Sequence, residues 1–173
     1  MVAGKPLAFD PIDEARRQWD AHGWDDASSG MAMVTSIMRA HQVLIGRVDR
    51  ALAGLNLSFA RYEVLMLLLF SRKGALPLGK VGSRLQVHPA SVTNAVNRLE
   101  ADGLLLRVPH PSDRRTTLAE ITAEGRDLAR RATEALNGEV FAATGLNARQ
   151  LEQLFGLLRR LRLSEGDFDD PPG

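Results

Sequence analysis

Apolar residues recur every three or four positions through most of this chain, so it reads as mainly α-helical. Asp10 followed by Pro11 marks a helix start: an acceptor side chain at the N-cap, then a residue whose missing N–H costs nothing there. Ile12, Ala15 and Trp19 share one face, which predicts a short helix to about Ala21. "HGWDDASSG" (22–30) reads as a loop. A long helix is expected over roughly Met31 to Leu55, where Val34, Ile37, Met38, His41, Leu44, Ile45, Val48, Leu52 and Leu55 form a continuous stripe. Ser58 can cap a third helix carrying Tyr62, Leu65, Met66, Leu69 and Phe70, and "RKGALP" breaks it.

Shorter periods follow. "LGKVGSRL" places Leu78, Val81 and Leu85 on one face. Pro89 then suits a first helical position, Val92, Val96 and Leu99 make a buried stripe, and Gly103 ends that helix. "LLLRVP" and "TTLAEI" read as two short strands of a hairpin. Thr122 caps another long helix with Leu128, Ala132, Ala135, Leu136 and Val140 on one face. "TGLN" interrupts it, and Asn147 with Gln150 has the spacing of a capping box for a last helix. That helix sets Leu151, Leu154, Leu158 and Leu161 in a row, widened by Phe155 and Leu157. The organisation expected is an N-terminal extension with a short extra helix (1–30), a long helix (31–57), a lobe of shorter helices and a hairpin (58–121), C-terminal helices (122–163) and a disordered acidic tail (164–173).

Composition removes several function classes. The 173 residues contain no Cys, which excludes disulfides, thiolate metal sites and cysteine redox sensing. His22, His41, His88 and His110 are scattered without ligand spacing, so no metal is expected, and no motif asks for a cofactor. There is no Gly-rich phosphate loop and no nucleophile beside a base, so an enzyme is not expected. The longest apolar run, Val64 to Phe70, is too short to span a bilayer, and the first residues do not read as a signal peptide. A cytoplasmic protein with no membrane partner is the expectation.

Charge is unevenly spread. Eight cations and three anions lie between Arg72 and Thr116, whereas the first thirty residues and the tail are acidic. A basic middle between acidic ends points to a polyanion partner for the middle alone. There the two short helices read as a helix-turn-helix, whose second helix enters the major groove by its N-terminal residues. Those residues are His88, Pro89, Ala90, Ser91, Thr93 and Asn94, with Asn97 and Arg98 further along. Asn can pair with adenine, Arg with guanine, and Ser and Thr with phosphate or base. The hairpin that follows reads as a wing carrying Asp113, Arg114 and Arg115 at its tip, with one Arg for the minor groove. Asp113 is expected to pair with an Arg guanidinium and fix the loop.

The stretch "VHPASVTNAVNRLEADGLLLRVPHPSDRRTTLAEITAEGRDL" (87–128) resembles the MarR-type winged-helix transcriptional regulators. "VTNAVNRLEADGL" is similar to the family's recognition helix and its exit, and "DRRTTLAEITAEG" to its wing and the entry to the next helix. The resemblance implies a winged helix-turn-helix with long N- and C-terminal dimerisation helices. It also implies a ligand-responsive repressor that binds palindromic double-stranded DNA as a homodimer. Release by a small aromatic or other organic anion, bound between the dimerisation helices and the DNA-binding lobe, would follow. Candidates for that anion are Arg39 and His41 on the long helix, Trp19 on the extra helix, and Glu63 with Arg107 as a buried pair across the lobe boundary. Trp19, Glu63 and Arg107 also match part of the urate-responsive branch, but Ala95 stands where that branch has a second Arg. The alternative is a winged-helix protein-interaction module that reads no bases. The polar edge Ser91, Thr93, Asn94 and Asn97 argues against it, since protein interfaces centre on apolar or aromatic anchors.

Overall fold

The computed structural model describes residues 7–85, 89–113 and 115–169, with the side chain of Pro89 left out. Seven α-helices and one three-stranded sheet occur among them: α1 (Pro11–Ala21), α2 (Asp25–Ala53), α3 (Phe59–Phe70), β1 (Ala75–Pro77), α4 (Leu78–Leu85), α5 (Pro89–Ala101), β2 (Leu105–Pro109), β3 (Thr117–Ile121), α6 (Ala123–Leu136) and α7 (Ala148–Ser164). The mainly helical winged helix-turn-helix read from the sequence is the observed fold.

Most helix starts follow local chemistry. Asp10 accepts from the Ile12 amide at 2.9 Å, Ser58 from Arg61 at 3.4 Å and Thr122 from Gly125 at 3.0 Å. The Asn147–Gln150 box closes in both directions, at 3.0 and 2.9 Å.

Four sequence expectations need correction. The loop 22–30 shrinks to residues 22–24, and α2 begins at Asp25, six residues early. Asp25 and Asp26 suit a first turn electrostatically, and packing of α1 on α2 buries Ser28 and lets Arg16 donate to Ser29 Oγ. β1 was read as a mere break; it pairs antiparallel with β3, giving the order β1-β3-β2. α6 ends at Leu136, and a π-helical turn, Asn137–Phe141, continues to the break. The tail is ordered to Asp169: the Asp167 amide donates to the Arg162 carbonyl, its carboxylate pairs with Arg162, and Arg159 and Arg162 stack on Phe168. Residues 170–173 lie outside the described residues.

The core lies in the middle of the chain. Leu65 and Leu68 of α3 pack with Val96 and Leu99 of α5, Leu105 of β2 and Ala129 of α6, all without solvent exposure. Tyr62 links α3 to α6: Thr133 Oγ1 donates to the Ala129 carbonyl, so the Tyr62 hydroxyl donates to Thr133 at 3.2 Å. Arg47 of α2 holds the π-helical turn after α6 and the residues just beyond it, donating to the carbonyls of Glu139 (2.6 Å) and Ala143 (2.8 Å). α7 differs from all of this. None of its residues is buried, although Leu151, Leu154, Leu158 and Leu161 form an apolar row along it.

Candidate nucleic-acid interface

α5 is fixed from three sides. Its inner face, Val92, Ala95, Val96 and Leu99, is buried against α3 and the sheet. Its end is a Schellman turn in which Gly103, at φ 70°, lets the Leu104 amide reach the Leu99 carbonyl at 2.8 Å. Just beyond the helix, Asp102 pairs with Arg61 of α3 at 3.0 Å, and the same guanidinium donates to the Asn56 carbonyl. The outer face of a helix held this firmly is a preorganised surface.

That outer face is polar and small. Ala90, Ser91, Thr93, Asn94, Asn97 and Arg98 are all exposed. Pro89 opens the helix, and His88 lies outside the described residues. No large apolar side chain interrupts the row, unlike the surface that a protein-interaction module would present.

The wing follows directly. β2 and β3 pair in register from Leu105–Ile121 to Pro109–Thr117, and the loop between them is closed by Asp113. Its Oδ1 accepts from the Arg115 amide at 3.0 Å and its Oδ2 from the Thr116 hydroxyl at 2.6 Å. These bonds, that from Thr116 first, hold the Asp113 carboxyl below its ordinary pKa. The lowered value means the carboxylate favours the closed loop when charged. That support is lost as pH falls through the lowered pKa. Among the described residues Asp113 is bound by a backbone amide and a hydroxyl, whose short reach suits a tight turn, and it makes no ion pair with Arg115. Arg115 remains exposed, and Arg114 lies outside the described residues.

Cations around this face divide into two groups. Arg61 and Arg107 are held by carboxylates, whereas Arg72, Lys73, Lys80, Arg84, Arg98 and Arg115 are exposed and make no ion pair among the described residues. Unneutralised positive charge is therefore carried by the helix-turn-helix, the wing and the turn before β1.

The anion-binding candidates are not brought into one site. Trp19 packs edge-on against Trp24, ring centroids 5.1 Å apart, where α1 meets α2. Arg39 donates to Gln42 on α2, and His41 is exposed on the same helix. The Glu63–Arg107 pair does not form. Glu100, seven residues from Arg107 and carried to it by the turn between α5 and β2, takes the guanidinium instead. Glu63 is half-buried on α3, and burial pushes its carboxyl above the ordinary pKa. Two cavities, one along α6 between Leu104 and Arg131 and one between Phe70 and Leu118, touch none of these five side chains.

Comparison with known proteins agrees with this arrangement. The model of the MarR family matches residues 57–117, the whole helix-turn-helix and most of the wing. Sco5413, a MarR family transcriptional regulator of Streptomyces coelicolor, is 46% identical and superposes with a TM-score of 0.74 over 82% of this chain and 99% of that one. The chain belongs to the MarR family of DNA-binding transcriptional regulators. Among curated relatives, the HTH-type transcriptional regulator MhqR of Bacillus subtilis is 33% identical over 89 residues, 51% of this chain and 60% of that protein. A MarR-family chain therefore spans somewhat under two thirds of that relative in the alignment. BpsR of Bordetella bronchiseptica, whose DNA binding is regulated by 6-hydroxynicotinic acid, is 26% identical with a TM-score of 0.68, over 78% of this chain and 93% of BpsR. No helix among the described residues is long and apolar enough to cross a membrane.

Proposed function

We propose that this MarR-family chain is a sequence-specific repressor that binds palindromic duplex DNA as a homodimer and leaves it when a small organic anion binds. The observation that carries the DNA half is the pairing of a braced helix with a small polar outer face and a wing whose tip is shaped by its own Asp. In this reading Ser91, Thr93, Asn94 and Arg98 of α5 enter the major groove. His88, Pro89 and Ala90 sit where the helix N-terminus approaches a phosphate. Arg114 and Arg115 take the minor groove and the adjacent backbone.

The dimer half rests on the apolar faces that the single chain leaves in solvent. On α7 these include Leu154 at 45% and Phe155 at 60% exposure. On α2, Val34, Met38 and Leu44 share a face with His41. Exposed stripes of this length on two helices are the two sides of an intersubunit core. The two-fold would set the α5 helices about 34–36 Å apart, one DNA turn. Arg39 and His41 would then stand beside the intersubunit surface, where a small anion could bias one arrangement of the two lobes. The likeness to BpsR supports an organic acid as effector.

Affinity measurements on an operator selected from random duplexes test the assignment. Asn94→Ala should cost about 1–3 kcal/mol on the operator and much less on unrelated DNA, as for a lost base contact. Asp113→Ala should weaken binding to both, because the loop loses its closing bonds. Tighter binding by Asp113→Ala would mean that removing an anion outweighs any shaping, and the wing would be only a charged tip.

A further inference from the structure

Asn97 and Glu100 stand three residues apart on α5, and both reach toward Arg107 on β2. Glu100 takes the guanidinium through Oε2, and its Oε1 accepts the Arg107 backbone amide at 3.3 Å. The other guanidinium nitrogen, Nη2, donates to Asn97 Oδ1 at 2.6 Å. Asn97 is exposed and lies one turn beyond Thr93 and Asn94 on the face assigned to DNA. An Asn amide can ordinarily be turned either way, offering an acceptor or donors. Here its direction is fixed by chemistry: a guanidinium has donors only, so the carbonyl end must face it. Turning the amide over would set NH2 against guanidinium N–H and lose a charge-assisted bond.

Resting on the DNA-binding reading, we propose that Arg107 is a positioning residue that fixes the Asn97 amide with its carbonyl toward β2 and its N–H groups toward DNA. With Oδ1 engaged, Asn97 presents its two amide N–H groups outward. It can bond an acceptor: guanine N7 and O6, thymine O4, or a phosphate oxygen. The bidentate pair with adenine needs the Asn oxygen beside the base to receive the N6 amino group, so it competes with the bond that turns that oxygen toward Arg107. The sequence alone left the direction of the amide open, since nothing in it shows that Arg107 holds the carbonyl end. Glu100 completes the arrangement by holding the guanidinium from its other side, so the wing strand and the recognition helix are tied at the residue that reads.

The test is a complete single-base substitution profile on a selected operator, for wild type, Asn97→Ala, Arg107→Met and Arg107→Lys. Asn97→Ala should lose about ten- to a hundredfold in affinity, either as lost discrimination at a guanine or thymine or uniformly on all duplexes. Arg107→Met should reproduce that loss at the same position and admit adenine there. Arg107→Lys, which keeps a donor for Oδ1, should restore part of it. Discrimination by Asn97 at an adenine, abolished by N6-methylation of that base and unchanged in Arg107→Met, overturns the proposal. So does an Asn97→Ala profile identical to wild type, which would make Asn97 a brace without contact to DNA. In either overturning case wild type still prefers its operator, and the DNA-binding reading stands. A wild type with no preference among duplexes removes both.

Discussion

Leu154→Asp should convert the protein from a dimer into a monomer or an unfolded chain. In the single chain Leu154 is 45% exposed, and no residue of α7 is buried. A charge at that position would cost little if the face were wet. In a two-chain core it buries a carboxylate with no partner, a penalty of several kcal/mol on each side of the two-fold. The Leu151, Leu154, Leu158 and Leu161 row repeats every turn, so the substitution falls in the middle of the contact. Sedimentation at micromolar concentration distinguishes the outcomes. A well-folded Leu154→Asp dimer would show that α7 turns this stripe to solvent.

Gly125→Ala should lower the melting temperature, although replacing Gly by Ala within a helix normally raises stability by up to about 1 kcal/mol. Gly125 lies in the first turn of α6, and a Cβ there would fall on the backbone carbonyl of Leu104 and against Ile121. That carbonyl already accepts the Thr122 amide, and the Thr122 hydroxyl donates to the Gly103 carbonyl at 2.9 Å. The joint between the recognition-helix exit and α6 is therefore backbone against backbone and cannot give way through a side-chain rotation. Overpacking of this kind costs roughly 2–3 kcal/mol, or about 4–12 °C in a domain of this size. An unchanged or higher melting temperature would mean that the two segments separate easily, and that the end of α5 is not rigidly joined to α6.

Reading the sequence worked best where the deciding interaction is local. Asp10, Thr122 and the Asn147–Gln150 box each cap a helix through atoms two or three residues away, so the residues announce the start themselves. The helix-turn-helix and hairpin were legible for the same reason. Asp25 to Ser29 misled because Asp and Ser favour loops in isolation, whereas packing of α1 on α2 carries the helix through them. β1 has three residues, too few for an alternation, and exists only because β3 offers an edge. Within the site, a loop-shaping role for Asp113 was suggested by the sequence, but not the Thr116 hydroxyl and Arg115 amide through which it acts. The Arg107 contacts were hidden for a related reason: Glu63 and Glu100 are both plausible partners by charge, and only the path of the chain from α5 into β2 brings one of them close. The dispersal of Trp19, Arg39, His41, Glu63 and Arg107 likewise follows from placement that residue types do not encode.

The most direct measurement is the affinity of the wild-type protein for a selected inverted-repeat duplex and for a scrambled duplex of the same length and composition, at one moderate salt concentration. A dimer reading bases through two α5 helices should prefer the selected site by at least about a thousandfold. Equal affinity for the two duplexes would contradict sequence-specific recognition by this face.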